Sequence, residues 1–385
     1  MEKVRLGDIC DVRDGTHDSP KYHDSGYPLV TSKNLSKGFV DFTDCNLISK
    51  EDYDKINIRS KVDVGDILMP MIGTVGNPVI VQIEPEFAIK NVALIKFYKD
   101  SRVLNKYIKV LLESNYFDRT VLSKIRGGTQ KFISLNDIRR LEIILPPISE
   151  QLEIVDRIEK VNVLIDTRKE QLEKLNELVK ARFVELFGSD EFNKKPLKLN
   201  VEEMFIGPFG SSLKNECFVS KEEGFCMVYE QKHAIKKTMN VETRFVDESK
   251  YNELKRFTVV GGDIIVSCRG TIGEVYDIPN DAPMGIMHPS IMKIRLKQDV
   301  YNKKFFIFAL EEYMRKSNDK ANGSGIKMAV TATTLGNDEF IVPPIDLQNQ
   351  FAAFVEQTDK SKLEVQKSLE KLELLKKALM QKYFG

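Results

Sequence analysis

The chain has none of the local motifs that mark the common enzyme classes. It contains no G-x-x-x-x-G-K-[ST] segment, which excludes a P-loop NTPase, and no G-x-G-x-x-G follows a strand; Gly270-Thr271-Ile272-Gly273 has the wrong spacing for a dinucleotide turn. No G-x-S-x-G elbow and no Cys/His pairing points to acyl transfer. The Asn/Asp-Pro-Pro-Tyr/Phe loop with which an adenine methyltransferase holds a flipped base is missing; the nearest strings are Leu145-Pro146-Pro147-Ile148 and Asn77-Pro78-Val79. Tandem carboxylates such as Glu222-Glu223 and Glu311-Glu312 read as solvated surface.

Other absences narrow the setting. The five cysteines (Cys10, Cys45, Cys217, Cys226, Cys268) are odd in number and form no C-x-x-C pair, the pattern of free thiols in a reducing cytosol. Four scattered histidines (His17, His23, His233, His288) offer no zinc constellation, so neither metal nor cofactor is expected. No apolar run reaches the ~18 residues a membrane span requires, and the start Met1-Glu2-Lys3-Val4-Arg5 has no signal-peptide core. A cytoplasmic protein with no membrane role is the expectation. Formal net charge is only +1 over 385 residues, yet local distribution decides the field near a groove. Residues 101–140 carry nine Lys/Arg against three acidic groups and residues 293–328 nine against four, leaving +6 and +5 at matching places. Two solvated helical faces would give the same counts.

What the chain does have is a repeat. Leu145-Pro146-Pro147-Ile148 recurs as Val342-Pro343-Pro344-Ile345, an offset of 343 − 146 = 197. Gly65-Asp66-Ile67-Leu68 recurs as Gly262-Asp263-Ile264-Ile265, and Gly73-Thr74-Val75-Gly76 as Gly270-Thr271-Ile272-Gly273, in the same register. Phe187-Gly188 falls on Phe384-Gly385. Upstream the match loosens, and Val4-Arg5-Leu6 is set against Leu197-Lys198-Leu199.

Each copy opens with a globular segment of about 140 residues, long enough for its own core, that mixes short β-rich runs with helical ones. A long helix follows. Pro146-Pro147 cannot lie inside it, Ser149 is its expected N-cap, and Asp346 the cap of the second. Ile158, Val161, Ile165, Leu172, Leu175 and Val179 form a heptad seam; Val355, Val365, Leu369, Leu372 and Leu379 form another, weakened by Thr358 and Lys362. About 35 residues make a rod of roughly 50 Å. The other copy's helix is the simplest partner for such a stripe, and each helix's own globular segment is the alternative.

In these features the chain resembles the specificity (S) subunits of type I restriction–modification systems. Asp14-Gly15-Thr16-His17-Asp18-Ser19-Pro20-Lys21-Tyr22, followed by Pro28 to Leu35, is similar to the opening of many of their recognition domains. Gly207-Pro208-Phe209-Gly210-Ser211-Ser212-Leu213-Lys214 is similar to another common opening, and Pro146 to Gln151 to the start of the family's conserved helix. The resemblance implies an α/β fold with two target-recognition domains (1–145 and 189–342), a central conserved helix (146–188) and a C-terminal one (343–385), the helices pairing as an antiparallel coiled coil. It implies a non-catalytic subunit that reads bipartite double-stranded DNA, one half-site per domain, and that docks methyltransferase (M) and restriction (R) subunits. Asp346-Leu347-Gln348-Asn349-Gln350 departs from the pattern at the second helix start, so the two methyltransferase contacts are expected to differ in strength.

Candidate DNA contacts follow from residue type. Thr31-Ser32-Lys33-Asn34, set against Tyr229-Glu230-Gln231-Lys232, supplies the side-chain kinds that read base edges: Lys33, Asn34, Gln231 and Lys232, with Thr16 and Lys214 from the two openings. The glycine-rich loop Arg126-Gly127-Gly128-Thr129-Gln130-Lys131, matched by residues 322–327 ending in Lys327, suits phosphates, since backbone N–H groups approach there and Lys/Arg neutralise; Arg126, Thr129, Gln130, Lys131 and Lys327 are its candidates. Arg269, beside the second Gly-Thr-x-Gly turn, is another. A fused restriction–modification enzyme and a coiled-coil scaffold with tandem heads are the rival readings.

Overall fold

The computed structural model describes residues 2–72, 76–84, 86–121, 132–189, 191–297, 299–324 and 331–385, with side chains excepted over 318–324. It divides into two compact units, Met1–Leu172 with Val365–Gly385, and Glu173–Glu364. Both are mixed α/β.

The first unit holds a four-stranded antiparallel sheet in the order Asp11–Asp14, Val92–Lys96, Ile67–Pro70, Val79–Ile80. Beside it lies a three-stranded sheet, Asn46–Ile48, Tyr27–Val30, Ala88–Ile89, whose last pair is parallel. Strands Glu2–Arg5 and Glu142–Leu145 pair antiparallel. The second unit repeats the plan. Its antiparallel sheet runs Val201–Ile206, Ile291–Leu296, Ile264–Ser267, Val275–Asp277, and its mixed sheet Phe245–Val246, Cys226–Tyr229, Gly285–Met287, Thr258–Val259. Strand Lys194–Pro196 pairs with Glu339–Ile341.

The repeated Gly-Asp dipeptide has a physical reason. Gly65 and Gly262 turn the chain into the Ile67 and Ile264 strands at φ +89° and +90°, a region that favours glycine. The next aspartate braces the turn, Asp66 accepting from the Asp63 N–H (2.7 Å) and Asp263 from the Val260 N–H (3.0 Å). Each also takes a cation from the neighbouring strand, Lys96 at 2.7 Å and Arg295 at 2.7 Å. The structure realigns the chain start. Leu6 and Leu197, both fully buried, open equivalent short helices and donate to Leu141 O and Asp338 O, so Leu6 matches Leu197 rather than Leu199.

The two long helices run Ile148–Phe187 and Ile345–Phe384, 40 residues each, or about 60 Å apiece. Both begin two residues earlier than caps at Ser149 and Asp346 would set, so those residues lie inside the first turn. The start is fixed by glutamine instead. Gln151, fully buried, accepts from Leu104 N–H (2.9 Å) and donates to Arg102 O and Pro146 O (2.8 Å each). Gln348 does the same with Asn302 N–H (2.9 Å), Val300 O (3.0 Å) and Pro343 O (2.8 Å). The second helix start is therefore not atypical where it is held. The repeated motif is Pro-Pro-Ile-x-x-Gln, with Pro supplying a carbonyl to the Gln five residues on.

Within the first unit, Val161, Ile165 and Leu172 pack with Leu369, Leu372 and Leu379, and Arg157 donates to the Tyr383 hydroxyl (3.1 Å). Low numbers of one helix meet high numbers of the other, an antiparallel pairing. The second unit pairs its own helix segments in the same sense, Phe183 against Phe351 with ring centroids 5.5 Å apart. Thr358 does not open the seam, because its hydroxyl returns to Phe354 O (2.9 Å). Packing on a helix's own globular part also occurs, through Ile154, Val155 and Ile158. Each globular part in addition receives the end of the helix that follows the other copy: Phe384 lies 5.5 Å from Tyr107, and Phe187 lies 4.7 Å from Phe305.

Candidate nucleic-acid interface

In each unit the same three turns meet at one edge. Residues after Asp14, after Val30 and between Ile89 and Val92 are stitched by backbone bonds in the first unit: Thr16 N–H to Ile89 O (2.9 Å), Lys90 N–H to Val30 O (2.9 Å), Asn91 N–H to Thr16 O (3.1 Å). In the second, Gly207 N–H donates to Ile291 O (3.0 Å), His288 N–H to Tyr229 O (2.8 Å) and Cys268 N–H to Ser290 O (2.8 Å). A Cβ on Gly15 would stand 2.1 Å from Ile89 O and one on Gly207 2.4 Å from His288 O, so both openings need glycine for close approach.

Capping boxes set the register of the central turn. Thr31 and Asn34 form one, Glu230 and His233 the other. Thr31 thus matches Glu230 and Asn34 matches His233, one residue away from the pairing by sequence. Asn34 is only 6% exposed; its Oδ1 accepts from Thr31 N–H (2.9 Å) and Thr31 Oγ1 (3.0 Å), and its Nδ2 donates to Asp41 O (2.9 Å). That carboxamide builds the turn and is withdrawn as a base reader. Lys33, next to it, is exposed.

Around Thr16, whose hydroxyl accepts from the Asp18 N–H (3.1 Å), the first unit gathers polar groups the sequence did not single out. His17 bridges Asn91 Oδ1 and Asp14 Oδ2, 2.8 Å from each, and Arg59 also bonds Asp14. Those bonds, to Asn91 first and Asp14 second, raise the His17 pKa above its ordinary value. Lys90 donates to Ser19 Oγ (2.7 Å).

In the second unit the edge is built on Glu230. Burial alone would raise its pKa, but hydrogen bonds from Arg244 and Lys232 outweigh that and hold the carboxyl below its usual range. Lys232 stands 2.8 Å from Glu230 Oε2. Gln231 packs beside Gly270, and its Oε1 is buried without a partner among the described residues. Arg269 and Lys214 are exposed. His288, its pKa lowered by burial, feels Glu230, Arg244, Arg269 and Lys232 together, which places these charges around one spot.

Thr16, Lys33, Gln231, Lys232 and Arg269 therefore lie on the turns that converge, while Lys214 stands on the neighbouring loop. Arg126, Thr129, Gln130, Lys131 and Lys327 lie outside the described residues. The described members of the two basic stretches are largely engaged within the protein: Arg102 with Asp100, Lys106 with Glu159, Lys293 with Glu203, Arg295 with Asp263, Lys304 with Glu356. Counting lysines could not reveal those partners. Burial pushes the Cys10 and Cys268 thiols up to about 12 and the Cys45 and Cys226 thiols to about 11, unreactive settings. No group of His, Cys, Asp and Glu among the described residues could hold a metal, and no helix there is long and apolar enough to cross a membrane.

A family described as the type I restriction modification DNA specificity domain matches this chain twice, over residues 1–177 and 200–374. The chain belongs to that family. Its relatives include the "Putative type I restriction enzyme MjaX specificity subunit" of Methanocaldococcus jannaschii, 23% identical over 98% of this chain and 91% of that one. The EcoKI specificity subunit of Escherichia coli K12 is 24% identical over 47% of this chain and 41% of its own length. Among solved structures, the type I S subunit of M. genitalium superposes with a TM-score of 0.54 at 16% identity, covering 100% of this chain and 96% of that one. A chain from a study of complex assembly and conformational transition of the type I R-M system reaches 0.65 at 17%, covering 100% and 97%. The specificity-domain family and the doubled architecture agree, each family match spanning one globular part and most of the helix after it.

Proposed function

We propose that the two recognition domains, residues 1–145 and 189–342, each read one half of a bipartite double-stranded DNA site, and that the helical segments 146–188 and 343–385 space them. The observation that supports this reading most is that the two units share one backbone frame at the converging turns and differ in the side chains on it. Thr31 and Glu230 occupy the same frame position in the two copies, with Thr16 and Lys33 on the turns beside it in the first, and Gln231, Lys232 and Arg269 on those in the second, where Lys214 stands on the neighbouring loop. A common frame with unlike readers is what an asymmetric target requires. Arg126, Thr129, Gln130, Lys131 and Lys327 complete the proposal as phosphate contacts.

The chain directs chemistry done elsewhere. Methyltransferase subunits are its proposed partners along the helices, where Leu152, Val163 and Leu164 in one unit and Leu178 and Val184 in the other leave apolar side chains exposed. Restriction subunits complete the assembly, in the cytoplasm. Exchanging residues 1–145 for another member's domain tests the reading. Methylated-site sequencing of a host carrying the hybrid and its methyltransferase is expected to show one half-site changed and the other kept; both changing together would refute independent readers.

A further inference from the structure

We propose that Arg244 reads a guanine in the half-site of the second recognition domain; this rests on the half-site reading above and deepens it. Arg244 precedes strand Phe245–Val246, and its carbonyl accepts from the Val228 N–H at 2.9 Å, so its backbone is pinned to the central strand of the sheet. The guanidinium is held from two sides. It lies 4.0 Å over the Phe218 ring, and its Nη2 donates to Glu230. Glu230, 7% exposed, is itself fixed as the first residue of a capping box and by Lys232. Arg244 keeps a third of its side chain exposed, and among the described residues Nη2 is its one nitrogen with a hydrogen-bond partner.

A planar fork restrained in this way and opening to solvent matches the N7 and O6 acceptors of guanine, the commonest base-specific contact in DNA recognition. A phosphate holder needs no such restraint, because it carries no sequence information. The Glu230 anchor belongs to the second copy. Thr31 stands where Glu230 does, and a hydroxyl cannot anchor an arginine with a full charge. The second half-site is thereby expected to contain a guanine whose recognition the first domain does not reproduce.

The test is selection from duplexes with both half-sites randomised, using the full chain assembled with its methyltransferase, for the native protein and for Arg244→Ala, Arg244→Lys and Glu230→Gln. The native assembly is expected to select an invariant guanine in the second half-site. Arg244→Ala and Arg244→Lys lower discrimination at that one base pair roughly ten- to hundredfold, the lysine variant keeping overall affinity, and Glu230→Gln lowers it partly. Selection at the first half-site stays intact in every variant and reports that the assembly still binds. Uniform weakening on all duplexes with a salt slope lowered by about one makes Arg244 a phosphate contact and overturns the inference. So does a guanine preference that survives in Arg244→Ala. A native assembly that selects no half-sites overturns the bipartite reading and this inference with it.

Discussion

Replacing Gln151 by leucine removes the amide that fastens the central helix to its globular part, and its cost can be worked out bond by bond. The carboxamide satisfies one backbone N–H, that of Leu104, and two carbonyls, those of Arg102 and Pro146. A buried N–H left unpaired costs about 1–3 kcal/mol, and carbonyls that lose a bond about half to one and a half each. Leucine fills most of the volume, so about 3 kcal/mol is expected. The unit comprises 172 + 21 = 193 residues, a size at which 1 kcal/mol moves Tm by roughly 2–4 °C, which gives about 6–12 °C. Hydrogen exchange with mass spectrometry locates the effect: the peptide containing Leu104 should exchange on the order of a hundredfold faster, since 1.4 kcal/mol is a factor of ten. Gln151→Glu should be worse than leucine, because it turns a carboxylate toward two carbonyls. Gln348→Leu should produce the same loss in the other unit, at Asn302. A Gln151→Leu protein melting within a degree of native, with Leu104 still protected, would refute the lock.

Three other outcomes are expected. Lys96→Met leaves Asp66 buried beside an apolar side chain and should destabilise the first unit by about 3–5 kcal/mol, as for a buried pair stripped of one partner; chemical denaturation monitored by circular dichroism measures it, and a neutral result would mean that the aspartate relaxes to water. Histidine titration by NMR should place His17 above its ordinary pKa and His233 and His288 below it. A folded-state pKa that is raised makes its contribution present below the unfolded pKa and lost as pH rises through the folded one. A depressed histidine pKa does the opposite, so as pH falls through the ordinary histidine range His233 and His288 should weaken the second unit while His17 strengthens the first, modestly given its exposure. Alanine at Lys131 or Lys327 should weaken binding on every duplex and flatten its salt dependence by about one unit of slope; an altered base preference at constant slope would show these lysines to be readers.

The doubled plan was legible in the sequence because glycines and prolines with fixed backbone duties kept one offset. Gly65 and Gly262 need positive φ, and Pro146 and Pro343 close strands and open helices. The long helices were legible through their seams, although each begins two residues before the start its expected cap would set, because a buried glutamine rather than a side-chain cap fastens the first turn. The candidate interface was legible only in part. Thr31 and Glu230 share no chemistry, so nothing in the sequence set their register; the capping boxes did. Asn34 has a base-reading side chain, yet its amide was spent on a turn. Arg244 left no local signal at all, because Phe218 and Glu230, the residues that orient it, lie far along the chain or across a strand.

The placement of Phe384 against Tyr107, and of Phe187 against Phe305, has a consequence for how such chains diversify. A globular part can change its outer turns freely, but the face around Tyr107 or Phe305 must go on receiving an aromatic that the other half of the chain supplies. Recombination that brings in a foreign segment 1–145 imports a socket for a resident plug. Hybrids survive where socket and plug match and fail where they do not, whatever DNA the new turns would read. Exchange is thus filtered by this contact as well as by the converging turns, and a lineage that altered both aromatics together would found a set of domains exchangeable only among themselves.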